Sequence, residues 1–196
     1  MTFFGTHPWE AESFDVGALR AALVAHPSAG VGEIGLDRLK ERSISPLMRS
    51  ILQKQLELAA EFSRPVVLHG AKCWGEVAAA CAPFAGRIPA FLFHGFSRSG
   101  GLLPQIVRMN GFISVGPALL NDHAVNYRAL VGEIPLDRLL VESDATPETD
   151  AATPHVAEIA AKLAELRGID EGELLAVLEA NTNRFLMEVS TDTVLQ

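Results

Sequence analysis

Short runs of consecutive apolar residues recur along the chain, and between them the apolar positions return every three or four residues. The runs lie at about residues 2–5, 29–33, 66–69, 90–94, 111–115 and 139–143, and each predicts a short strand. The intervening sequence predicts helices. Ser13 or Asp15 can cap a helix running to about residue 25, and His26-Pro27 ends it. Pro46 opens a long amphipathic helix to about residue 62, which Arg64-Pro65 stops. Further helices are expected at Trp74–Cys81, around Leu103 to Val107, after an Asn121 or Asp122 cap, at 154–167 closed by Gly168, and through Leu174 to Leu178.

Strands alternating with helices imply a parallel α/β sheet, and such sheets place ligands at the carboxyl ends of their strands. In this chain those ends carry His7, Glu33, His69, His94 and Asp144. Gly32 and Gly35 flank Glu33 and are expected to break the strand there into a loop, as Gly70 is expected to turn the chain after His69. Period-two alternation along the last strand points Glu142 and Asp144 the same way.

Composition narrows the class. With 196 residues, 48% of them hydrophobic, and a mean hydropathy of +0.21, the chain is expected to form one globular domain. It has no run of about 18 apolar residues and no basic, apolar leader, so no membrane association and a cytoplasmic location are expected. Cys73 and Cys81 are too far apart for a Cys-x-x-Cys pair and read as structural free thiols. A formal net charge of -8 argues against a large sequence-independent nucleic-acid surface. A small anion site is still compatible, because Arg38, Lys40, Lys72 and Arg98 follow the strand exits and a bound cation would reverse the local sign.

Two histidines and two or more carboxylates converging from different strands suit a divalent metal, which activates water and polarises the bond to be attacked. Taken singly, each has a plainer reading: a histidine after an apolar strand can be a hydrogen-bonded structural residue, and an aspartate at a strand end can be a helix cap.

Six ordered blocks sharpen the picture: Gly5-Thr6-His7-Pro8-Trp9, Gly32-Glu33-Ile34-Gly35-Leu36-Asp37, Pro65-Val66-Val67-Leu68-His69, Phe93-His94-Gly95-Phe96-Ser97, Leu140-Val141-Glu142-Ser143-Asp144 and Asn181-Thr182-Asn183-Arg184-Phe185-Leu186. In this order they resemble the signature blocks of the TatD family of metal-dependent hydrolases. The resemblance implies a TIM-barrel-like (β/α)8 fold with one or two divalent ions (Mg, Mn or Zn) and hydrolysis of phosphodiesters, often in DNA. It implies that Glu33 bridges two metals, that His69 and His94 complete one site, and that Asp144 binds the other and orients or deprotonates water. His7, Lys72 and Glu142 would help hold substrate, while Asn181 and Arg184 brace the terminal helices.

The chain departs from the family pattern in lacking the His-x-His pair of the first strand, so the barrel is expected to be incomplete, with about six strands where a closed one has about eight. Thr146 also stands where the family has proline. One retained metal position and one weakened or empty one are therefore expected. The alternatives are a weak or inactive barrel that acts by binding, and a metal-dependent hydrolase of another ester or amide. An open sheet edge would leave Phe3 and Phe4 partly stripped of neighbours and favour self-association, and residues 189–196 are expected to be a loose tail.

Overall fold

The computed structural model describes residues 1–40, 42–97, 100–145 and 155–187. Among these residues six strands form one sheet: β1 (Phe3–Phe4), β2 (Gly30–Asp37), β3 (Val66–Ala71), β4 (Phe91–Phe93), β5 (Gly111–Val115) and β6 (Leu139–Val141). All neighbours are parallel and the spatial order is β1-β2-β3-β4-β5-β6, the sequential order of a β/α barrel wall. The helices between and after them are α1 (Val16–Ala25), α2 (Pro46–Glu61), α3 (Trp74–Cys81), α4 (Leu103–Arg108), α5 (Val125–Glu133), α6 (Val156–Arg167) and α7 (Glu171–Met187).

Local chemistry explains where several helices start and stop. Asp15 accepts from the amides of Gly17 and Ala18 at the head of α1, and Ser45 accepts from Met48 at the head of α2, with Pro46 in the first turn. Gly168 closes α6 at φ 61°, where a side chain would be strained. The expected cap at Asn121 or Asp122 is overturned: α5 starts at Val125, and Asn121 instead accepts from the His123 amide in the preceding turn. Pro154, Thr146, Arg98 and the 189–196 tail lie outside the described residues.

The two faces of the sheet have different partners. Val66, Leu68, Phe91, Phe93, Ile113, Val115 and Leu139 belong to the main core with the surrounding helices. Val67, Leu92, Phe112 and Leu140, the alternate residues on the same strands, form a second cluster with Phe185 and Leu186 of α7. Phe3, expected to be partly stripped of neighbours, stacks on Phe185 at 6.0 Å between ring centroids, and Phe4 packs on His26 at 5.1 Å. Both phenylalanines are half-buried.

Two strands are longer than their glycines suggest. β2 continues through Gly35 to Asp37, so Glu33 lies inside a strand and not at its exit. β3 runs through Gly70 to Ala71, so Gly70 is no turn. The reason is close strand approach: a Cβ on Gly35 would lie 1.9 Å from the His69 carbonyl oxygen, so glycine here permits pairing. β6 ends at Val141, short of the expected 143.

Candidate metal centre

The second face of the sheet carries the candidate chemistry at its carboxyl end. Continuing the alternation, Val67 leads to His69, Leu92 to His94, Phe112 to Ser114 and Leu140 to Glu142. Glu33 would break this rule in a regular strand, because Val31 faces the main core and residue 33 would follow it. The pairing Val31 to Val66 and Ile34 to Leu68 contains one extra residue on β2, a bulge that returns Ile34 and Leu36 to the core and leaves Glu33 for the site.

The structure brings the expected residues together. His69 Nδ1 lies 3.0 Å from Glu33 Oε1, and His94 Nε2 lies 3.7 Å from the same oxygen. His94 Nε2 is 3.3 Å from Asp144 Oδ1, and its Nδ1 is 2.7 Å from Glu142 Oε2. Glu142 and Asp144 thus meet one imidazole from both sides, although β6 has already ended. The His7 ring sits 4.5 Å from that of His69, and His7, Glu33 and His69 offer ligand atoms within 4.8 Å of one another. Lys72 stands apart, solvent-exposed at the end of β3 with φ 58°.

Asp37 is the site residue that the sequence did not single out. It is fully buried, and its Oδ2 lies 2.9 Å from His69 Nε2 and accepts from the Trp9 indole N–H at 2.8 Å. Its Oδ1 accepts from the amides of Leu39 and Lys40. The signal was available once the glycine break is discarded: Gly35 and Asp37 are period-two partners on a strand that does not stop.

Electrostatics at the site follow from these contacts. Burial disfavours a charge on His94, but the hydrogen bonds to Asp144 and Glu142 outweigh it and hold its pKa up at about 10. Burial likewise opposes the charge on His69, and its bonds to Glu33 and Asp37 raise its pKa. Burial would raise Glu33 and Asp37, yet the His69 contact leaves both below the usual carboxylate range. Asp144 is lowered chiefly by its bond to His94. For His7, burial and then the neighbouring His69 lower the pKa and keep the ring neutral. Three carboxylates pressing on one imidazole make a site that favours added positive charge, and its nitrogen and oxygen donors fit a divalent cation. His69 also has the arrangement of a ligating histidine, with one ring nitrogen held by a buried carboxylate and the other turned toward Glu33.

Beside the site a cleft of about 1070 Å³ opens between β4 and α5, bounded by Gly95, Gly116, Tyr127, Asn126, Glu142 and Asp144. Tyr127 accepts from the Gly116 amide at 3.3 Å. Away from the site, Asn181 donates to the carbonyls of Leu136 and Leu139, and Arg184 donates to that of Asp137, so both brace α7 against β6. Cys73 and Cys81 are free and buried.

A parallel β/α wall with histidines and carboxylates gathered at its carboxyl end defines the class of metal-dependent hydrolase barrels. The model of the TatD related DNase family matches residues 1–187, and the chain belongs to that family. It is 27% identical over 195 residues to a 3'-5' ssDNA/RNA exonuclease TatD of Citrobacter koseri, covering 90% of this chain and 74% of that protein. It is 24% identical over 194 residues to an uncharacterized metal-dependent hydrolase of Bacillus subtilis, covering 92% and 74%. Among solved structures, a TatD homolog from Escherichia coli superposes with a TM-score of 0.82 at 27% identity, covering 93% of this chain and 75% of the other. A TatD family hydrolase from Entamoeba histolytica, 16% identical, shares the fold with a TM-score of 0.77, covering 94% and 74%.

Proposed function

We propose that this chain hydrolyses phosphodiester bonds in single-stranded nucleic acid, with Glu33, His69 and His94 holding a divalent cation and Asp144 serving as the base. The observation that carries this reading is Glu33 standing between two histidines, His69 at 3.0 Å and His94 at 3.7 Å, with the Asp144 carboxylate beside His94. Family membership and the exonuclease named among its relatives support the substrate class.

When bound, the cation would lower the pKa of water and polarise a phosphoryl oxygen. The chain's own residues do the rest. Asp144 is ionised at neutral pH and its side chain is 66% exposed, so its carboxylate can take the proton of an attacking water arriving from the cleft. Glu142 fixes the ring of His94 through Nδ1. Asp37 does the same for His69 through Nε2. His7 Nδ1 accepts from the Trp9 amide at 3.3 Å, which leaves the proton of the neutral ring on Nε2. His7 is thereby a hydrogen-bond donor to a phosphate oxygen. Lys72 supplies charge at the rim.

Two measurements test the reading. His94→Ala should lower bound metal, read by atomic emission after dialysis, by at least about tenfold; unchanged metal content would remove His94 from the ligand set. Slow cleavage of single-stranded DNA with added manganese or magnesium should vanish in Asp144→Asn. Cleavage surviving that change would take the base role from Asp144, and a wild-type chain inert with every divalent ion would favour a barrel that works by binding.

A further inference from the structure

Trp9 is 54% exposed, while the chain's other tryptophan, Trp74, is 4% exposed in the core. A large aromatic surface open to water gains nothing for folding. Nor is the ring loosely held. Its N–H is tied to the buried Asp37 carboxylate at 2.8 Å, and its edge meets the His7 ring at 4.8 Å with the planes 80° apart. Its centroid lies 6.3 Å from that of His69. Lys40 lies over one face of the ring, its ammonium 5.4 Å from the indole centroid. Trp9 also walls a cleft of about 800 Å³ with Pro8, Leu47 and Met48, bordered by Glu10 and Glu12.

We propose that Trp9 is a stacking platform for the base adjoining the phosphate under attack, and that Lys40 pairs with a phosphate of the same strand. This rests on the phosphodiesterase reading and assigns residues outside the metal cluster to substrate recognition. An indole whose polar edge is already bonded and one of whose faces lies under Lys40 presents its other face, and a base stacks on such a face whatever its sequence. The apolar wall accepts the base, whereas Glu10 and Glu12 repel phosphates and leave the backbone to the Lys40 side. Because Asp37 holds both the indole N–H and His69, the platform and the metal cluster are fixed relative to each other through one carboxylate. Such a platform gives affinity without sequence preference.

The test uses the two tryptophans as reporters. In EDTA, so that substrate is not consumed, pentathymidylate should quench tryptophan emission saturably in the wild type and in Trp74→Phe, but not in Trp9→Ala. Trp9→Ala should weaken binding about tenfold, Trp9→Phe much less, and an abasic pentamer should bind the wild type as weakly as the normal one binds Trp9→Ala. Lys40→Met should make the salt dependence shallower by about one phosphate contact. With manganese present, KM for the oligonucleotide should rise about tenfold in Trp9→Ala while kcat stays within about twofold. Unchanged KM and affinity in Trp9→Ala would overturn the platform and leave the hydrolase standing. A loss in Trp9→Phe equal to that in Trp9→Ala would also overturn it, since the N–H to Asp37 would then be what matters. If the metal-loaded wild type neither binds nor cleaves any single strand, yet hydrolyses another ester, the phosphodiesterase reading fails and the platform with it.

Discussion

At the scale of single residues, the buried carboxylate of Asp37 carries the most obligations. It meets His69, the Trp9 indole and two backbone amides, and an amide side chain in its place cannot accept all of them. Asp37→Asn should lower metal affinity about 10- to 100-fold, measured by competition with a chromophoric chelator, while Trp9 emission shifts as its ring loosens. An unaltered affinity would show that His69 needs no partner at Nε2. The cysteines make the opposite prediction. Burial pushes the Cys73 thiol up to about 11 and that of Cys81 higher still, so both stay protonated and unreactive at pH 8. A disulfide reagent should label neither in the native protein and both in denaturant; rapid native labelling would contradict their burial. At this scale the placement of His69, His94 and Glu142 beside one another was legible, because each follows an apolar strand whose alternation is local. Asp37 was not read, because its role depends on a strand continuing past two glycines.

At the scale of elements, β2 holds the lesson. Its bulge is created by pairing with β3, and no pattern within residues 30–37 alone shows where the extra residue falls. The helix caps at Asp15 and Ser45 were legible since a cap is a contact between neighbours in sequence, whereas the start of α5 was not, its cap Ala124 offering no side-chain oxygen. Gly35→Ala should test the strand pairing, because its methyl would have to displace the His69 backbone. A loss of about 1–3 kcal/mol or more is expected in urea unfolding. If Gly35→Ala melts with the wild type, the two strands cannot lie so close. Asn181→Ala should cost about 1–3 kcal/mol by leaving the Leu136 and Leu139 carbonyls without their donor.

At the scale of the whole molecule, the order of strands and the gathering of residues at one end were both legible, since alternating periods dictate a parallel sheet. What covers the inner face was not, because Phe185 has no local signal distinguishing it from an ordinary helix residue. The salt sensitivity of nucleic-acid binding is set by the number of phosphates the chain neutralises. With Lys40 and Lys72 as the phosphate partners, log affinity should fall against log salt with a slope of about -1.4. A much steeper slope would demand a basic surface elsewhere. The stack of Phe3 on Phe185 also sets a timetable. The first strand's inner side has its cover at the far end of the fold, so during synthesis β1 waits for nearly every later element to leave the ribosome before that cover arrives. Until then the sheet's inner face, the one that carries the site, is an open apolar surface, and α7 is the helix that shuts it.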